Sequence, residues 1–346
     1  MNNEELNDRE KNILRFIIQQ FILTANPVGS KNITKKYDIG FSPATVRNIM
    51  SDLEDSGFID HPHTSAGRIP TDKGYRFYVD SLMDVQKLRS SEMGIINKSL
   101  ETNLNETDEL LKVASYLLSS ITHQIACVTY PKLDSGIFEK IQIIQLTSLR
   151  ILVVITIKSG LVKTITLELN SDLKTSQLSP VEQLLNERLT GLSLREIRET
   201  FKERFSDVEE NQHPIIRVFV DSIDKIFKDE QRGEKALITG AKNVLRQPEF
   251  ENPESFQSVI ELIEDKDIII HILEKSGDDK QVFISIGSEN ENQKLNEYSF
   301  ISKKYELGEI SGSLGIVGPK RMEYSKVIAI VDYIARMISE ILKNEK

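Results

Sequence analysis

Between Asp8 and Ala25 the apolar residues Ile13, Leu14, Phe16, Ile17, Ile18, Phe21, Ile22 and Leu23 recur at intervals of three and four. That spacing predicts a helix with a broad buried face. Asn7 or Asp8 can cap it, acids in the first turn suit the helix dipole, and Asn26-Pro27 stops it. Ser30 reads as the N-cap of a short helix through Tyr37, and Asp38-Ile39-Gly40 as a tight turn. Ser42-Pro43 then starts a third helix, which runs to about Ser56 and is closed by Gly57. Its Val46, Ile49, Met50 and Leu53 form one buried stripe. Ala44, Asn48 and Ser51 point the opposite way, with Thr45 and Arg47 on the flanks. Phe58-Ile59-Asp60 and Arg68-Ile69-Pro70 read as strands around a turn-rich tip, and Thr71 with Lys73-Gly74 starts another helix.

Further on, residues 83–105 are polar and free of proline, which suits a helical linker. Leu110 to Ile121 gives a helix. Strands are expected at Ile125–Thr129, Lys140–Leu146, Arg150–Ile157 and Val162–Leu169, with Lys158-Ser159-Gly160 as a hairpin turn. The pattern then turns helical at Pro180–Leu189, Ser193–Phe205 and Pro214–Phe227. Strand signal returns only at Gln281–Ile286, Tyr298–Lys303 and Glu309–Val317, before a final helix from Tyr324 to Leu342. Strands, then helices, then strands again is the order that an insertion into a sheet domain produces.

The length of 346 residues suggests two or three domains, and 39% apolar with 28% charged residues reads as globular. No apolar run approaches the ~20 residues of a membrane helix. Met1 to Arg9 is polar and acidic, unlike a signal or transit peptide, so a cytoplasmic protein is expected. The single cysteine, Cys127, sits among apolar neighbours and reads as a buried structural thiol. The net charge of −9 argues against bulk coating of nucleic acid. Its placement changes that picture. Residues 1–76 hold ten bases and ten acids, so residues 77–346 carry the whole excess, with 34 bases and 43 acids. Lys31, Lys35, Lys36 and Arg47 face only Asp38 within 30–51, Arg68, Lys73 and Arg76 face Asp72 within 61–76, and the stretch between them is purely acidic.

A short helix, a tight turn and a longer capped helix make the helix-turn-helix pattern, whose second helix enters the major groove. Arg47 suits guanine O6 and N7, and Asn48 suits adenine N6 and N7. Ala44 and Ser51 are small enough for close approach, and Ser42 with the first-turn amides can hold a phosphate. The hairpin reads as a wing, with His63, Thr64 and Arg68 suited to phosphate or minor-groove contact. The candidate DNA-contacting set is Ser30, Lys31, Ser42, Pro43, Ala44, Thr45, Arg47, Asn48, Ser51, His63, Thr64, Ser65, Gly67 and Arg68. His61 and His63 lack a third ligand nearby in sequence, so no metal is expected. Gly312, Gly315 and Gly318 lack the strand-loop-helix order and lysine of a phosphate loop and read as close-packed strand and turn glycines. The adjacent Asp278 and Asp279 read as a solvated turn. No catalytic constellation stands out, and no cofactor is implied.

Five runs carry a resemblance. Pro27-Val28-Gly29-Ser30-Lys31 and Ser42-Pro43-Ala44-Thr45-Val46-Arg47-Asn48 occur in many winged-helix regulators. The long run from His63 through Thr71-Asp72-Lys73-Gly74-Tyr75-Arg76-Phe77-Tyr78-Val79-Asp80 is far more specific. With Gly312-Ser313-Leu314-Gly315-Ile316-Val317-Gly318-Pro319-Lys320-Arg321-Met322-Glu323-Tyr324 and Leu245-Arg246-Gln247-Pro248-Glu249-Phe250, it resembles the heat-inducible transcription repressor HrcA family along nearly the whole chain. Lys320 stands where that family usually has threonine. The resemblance implies an α+β, multidomain protein: a winged helix-turn-helix domain at 1–82, a linker helix at 83–105, a GAF-like α/β domain at 106–170 and 263–346, and an inserted, mostly helical dimerisation domain at 171–262. It also implies a homodimer that represses chaperone operons at an inverted-repeat operator on double-stranded DNA, is released on heat stress, and is assisted in folding by the chaperonin. Two other readings stand beside this one: a winged-helix regulator controlled by a small-molecule effector in the GAF-like domain, and an enzyme or sensor with an N-terminal interaction module.

Overall fold

Asn7 starts the first helix: its side-chain oxygen accepts the Arg9 and Glu10 N–H groups, and the Glu10 carboxylate returns to the Asn7 N–H. The computed structural model describes residues 6–37, 40–62, 67–102, 107–169, 177–208, 214–228, 236–275 and 281–344. Helix α1 (Asp8–Thr24) buries Ile13, Leu14, Ile17 and Ile18 completely. Helix α2 (Ser30–Lys36) has Gly29, not Ser30, at its N-cap. Helix α3 (Pro43–Asp55) begins as expected, with Ser42 Oγ accepting the Thr45 N–H at 3.1 Å, and it is followed by Gly57 at φ +75°. Strands β1 (Ile59–Asp60) and β2 (Ile69–Pro70) pair antiparallel, and Val28 bridges Arg68 beside them. Helix α4 (Asp72–Phe77) continues as a π-helical turn, Tyr78–Leu82. The Asp38-Ile39 part of the expected turn lies outside the described residues.

Residues 83–89 carry no regular secondary structure, and helix α5 (Ser90–Glu101) begins only after them. The expected linker helix is shortened because this segment finds its hydrogen bonds elsewhere. Gln86 N–H donates to the Ser325 carbonyl at 3.4 Å, and Ser325 Oγ donates to the Asp84 carbonyl at 2.6 Å. Helix α6 (Thr107–Thr122) ends at His123, which takes a left-handed φ of 57°. The fully buried strand β3 (Ile125–Thr129) follows.

Strands β4 (Phe138–Thr147), β5 (Arg150–Ile157) and β6 (Val162–Glu168) form a separate antiparallel sheet in that order. Helices α7 (Leu178–Leu189), α8 (Leu194–Arg204), α9 (Pro214–Asp221) and α10 (Ile223–Phe227) come next. Strand β7 (Ala236–Thr239), helix α11 (Ala241–Val244), helix α12 (Pro253–Glu264) and helix α13 (Lys266–Lys275) precede strand β8 (Phe283–Ile286). Strands β9 (Tyr298–Leu307) and β10 (Ile310–Pro319) and helix α14 (Tyr324–Asn344) complete the chain. The second sheet has the order β7-β3-β10-β9-β8.

The result is a mixed α+β chain whose contacts divide into two compact units. The first comprises Met1–Val128, Leu237–Lys303 and Leu314–Met337; the second comprises Thr129–Ala236, Lys304–Ser313 and Ile338–Lys346. In the first, α12 and α13 cover the β3-β10-β9 face, with Val259, Leu262, Ile269 and Leu273 against Ile125, Cys127, Tyr298, Phe300 and Val317. Cys127 is a free, fully buried thiol, and burial pushes its pKa well up. In the second, Phe138, Ile141, Val153 and Ile155 bury one face of the β4-β5-β6 sheet. Asn186 of α7 clamps Ile141 through both its N–H and its carbonyl, at 2.8 and 3.0 Å. The second unit begins at 129 and carries this three-stranded sheet together with the four helices.

Candidate nucleic-acid interface

The side of α3 that faces away from the core is a continuous polar surface. Val46, Met50 and Leu53 are 0, 5 and 0% exposed, whereas Ala44, Thr45, Arg47, Asn48 and Ser51 are all exposed. Ile49, expected in the buried stripe, is half-buried at its edge. Ser42 and Pro43 stand at the helix start, and the Ser42 hydroxyl also meets Thr45 Oγ1 at 3.0 Å. No acid lies in the first turn; the exposed Asp52 and Asp55 sit at the far end. The N-terminal half of the helix is thus polar, unobstructed and free of negative charge, which suits base edges and phosphates.

Helix α2 adds cations beside it. Lys31 and Lys35 are exposed, and among the described residues neither ammonium has an ion-pair or hydrogen-bond partner, although the Lys31 carbonyl accepts the Thr34 hydroxyl at 3.2 Å. Lys36 donates to Gln20 Oε1 at 2.6 Å and lies 5.8 Å from the Tyr37 ring centre. Ser30 is half-buried and accepts the Thr34 hydroxyl at its carbonyl.

The β1–β2 hairpin is built differently from the α2–α3 surface. His63, Thr64 and Ser65, expected at its tip, lie outside the described residues. Gly67 backs directly onto the Val28 main chain, leaving no room for a side chain. The main chain of Arg68 exchanges both hydrogen bonds with Val28, at 2.8 and 2.9 Å. Its guanidinium pairs with Glu54 at 2.5 Å, while His61 Nδ1 meets the other oxygen of the same carboxylate. Glu54 therefore ties both arms of the hairpin, at His61 and Arg68, to α3, a role that no local pattern signals. Glu54, Asp60 and His61 bring three potential ligand atoms within 4.8 Å, but the guanidinium already on Glu54 opposes a second cation there.

The remaining bases of the 61–76 cluster are engaged as well. Lys73 donates to the Ser56 carbonyl at 2.7 Å and stands 4.3 Å from the Phe58 ring centre. Arg76 donates to Glu289 and to the Ile284 carbonyl. On the cluster surface that the sequence singled out, only α2 and α3 present cations without internal partners among the described residues.

Known proteins of similar sequence and fold extend over the whole chain. Residues 108–328 match the family model described as HrcA protein C terminal domain. A heat-inducible transcription repressor HrcA from Chlorobium phaeobacteroides is 39% identical, over 98% of this chain and 99% of its own. One of the same name from Prosthecochloris aestuarii is 40% identical, over 98% of both chains. The crystal structure of a hypothetical protein, 25% identical, matches over 99% of this chain and 100% of its own with a TM-score of 0.61. The two sequence relatives are named as transcription repressors. No helix among the described residues is long and apolar enough to cross a membrane. Matches of this length and identity make the chain a member of the HrcA family, the heat-inducible transcription repressors.

Proposed function

We propose that the chain acts in the cytoplasm as a homodimeric repressor that binds an inverted-repeat operator of chaperone genes through α3. The observation that carries this reading is the exposed face Ala44, Thr45, Arg47, Asn48 and Ser51, capped by Ser42 and Pro43 and flanked by Lys31 and Lys35. In this reading residues 1–82 are a winged helix, with α3 in the major groove and the β1–β2 hairpin as the wing. Ser30 and Lys31 contact the phosphate backbone beside the reading helix. The tip residues His63, Thr64 and Ser65 meet the backbone or the minor groove, and Gly67 and Arg68 hold that tip in place. The β3-β10-β9 sheet with its helices is the GAF-like domain, and the dimer is built by the inserted domain. An inverted repeat needs two heads related by a two-fold axis, so a dimer follows from the operator's symmetry. Heat lifts repression, and the chaperonin restores the folded repressor.

The test is a titration of the full-length chain onto an inverted-repeat duplex from a chaperonin operon and onto its scrambled counterpart, at one stated salt concentration. A preference on the order of 10³ or more for the operator is expected. It should vanish after heating and recover faster with chaperonin. Equal affinity for both duplexes would overturn the reading.

A further inference from the structure

Three of the family-like runs, within 63–80, 245–250 and 312–324, meet one another at a single joint. Within the first unit, the N-terminal head (residues 1–82, with α1 to α4 and the hairpin) sits against the β7-β3-β10-β9-β8 sheet at three separate points. At the C-terminal end of α1, the Ile22 carbonyl accepts from Arg321 Nη1 at 2.7 Å, and Glu249 holds the rest of that guanidinium. At the start of α4, Asp72 accepts the Ser288 N–H at 2.8 Å and pairs with Lys320 at 3.0 Å. At the end of α4, Arg76 donates to the Ile284 carbonyl at 2.9 Å and to both oxygens of Glu289. Between these points the buried Tyr75 ring lies 5.9 Å from that of Tyr324. Gly287 takes a φ of +54° directly against the Asp72 carboxylate. Burial alone would raise the Asp72 carboxyl, but the Ser288 N–H and Lys320 outweigh it and hold it below the usual carboxylate range.

Three points that are not on one line fix the orientation of one rigid body on another. The groups used here are directional and charge-assisted; if the head turns, Asp72 and Arg76 lose their charged partners Lys320 and Glu289, and Arg321, still paired with Glu249, loses the Ile22 carbonyl. None of them lies on α2, α3 or the hairpin, and the α3 reading face stays exposed while the head is docked. The joint therefore presents the head and does not mask it.

We propose that Arg321, held by Glu249, and Glu289, acting on Ile22 and Arg76 of the head, are positioning residues that set the half-site spacing the repressor accepts. This rests on the reading above, in which two heads of a dimer engage an inverted repeat. A head free to turn would still bind one half-site, but it would lose the advantage of engaging both at a fixed separation.

The experiment uses the full-length chain and the variants Glu249→Gln, Glu289→Gln and Arg321→Ala, all outside the head so that the head's own fold is untouched. Each is titrated onto a half-site duplex, the native operator, and operators with the spacer lengthened by one to five base pairs. The native protein should lose tenfold or more as the spacer grows. The variants should keep half-site affinity within twofold, lose tenfold or more on the native operator, and show a flattened spacing profile. Variants with the native profile would overturn the proposal, as would variants that lose half-site and operator binding equally. A flat profile for the native protein would instead overturn the inverted-repeat reading itself, and the proposal with it.

Discussion

Arg47 and Lys35 carry the same charge but should fail differently when removed. Arg47 stands on the outward face of α3, next to Asn48, where a guanidinium can reach the paired acceptors of a guanine. Lys35 stands on α2, off that face, with an ammonium that can only meet phosphate. Arg47→Ala should cost about 1–3 kcal/mol on the operator and little on random duplex, relaxing base preference at one position of each half-site. Lys35→Ala should weaken both duplexes by the same factor. Titrations of both variants on both duplexes separate the two outcomes, and parallel losses would remove Arg47 from the set of base readers. Arg68 shows why charge alone misleads at this scale. Read as a free cation, it is neutralised by Glu54, fourteen positions earlier, and its main chain is spent on Val28.

At the scale of elements, what was legible was local. Caps and turn residues act within a few positions, so Asn7, Ser42 and Gly57 marked their helix ends, and the period of α3 sorted its buried from its exposed face. What was not legible depended on partners distant in sequence. Residues 83–89 stay non-helical because Ser325, some 240 positions on, takes their hydrogen bonds. Strand β7 has only four residues and gains its place by pairing in the sheet, which no pattern of its own announces. The β4-β5-β6 strands read correctly as strands, but their alternation could not say which sheet they join. The hairpin and α4 make this point testable. The α4 start lies on the Phe58 main chain, where Thr71 N–H donates to the Phe58 carbonyl at 3.1 Å, and a Cβ at Gly74 would run into that same carbonyl oxygen. Gly74→Ala should therefore destabilise the chain by about 1–3 kcal/mol, as forced overpacking does. Gly29→Ala, with open space around the added methyl, should cost only about 0.5–1 kcal/mol, the difference between glycine and alanine at an N-cap. Chemical denaturation of both variants measures the contrast, and equal losses would mean that the α4–hairpin packing is not as close as described.

Over the whole molecule, the excess of acids sits entirely beyond residue 76, and the bases of the hairpin and α4 are bound internally. The positive charge that α2 and α3 offer to a phosphate backbone reduces to Lys31 and Lys35, with Arg47 reserved for bases. A protein of this kind should bind random DNA weakly, because the acidic remainder repels the duplex and few counterions are released. Two lysines per head and two heads per operator make four phosphate contacts, for which the logarithm of affinity should fall with the logarithm of salt at a slope of about −3.6. Lys35→Ala removes two of the four and should bring the slope to about −1.8. Lys73→Ala should leave it unchanged, since that ammonium is held by the Ser56 carbonyl and the Phe58 ring. Operator titrations between 50 and ~200 mM salt read all three slopes. A native slope twice as steep would show that the hairpin cations turn outward on DNA, breaking the Glu54 and Ser56 contacts. Arg68→Ala would then share the loss that this arrangement assigns to Lys31 and Lys35 alone.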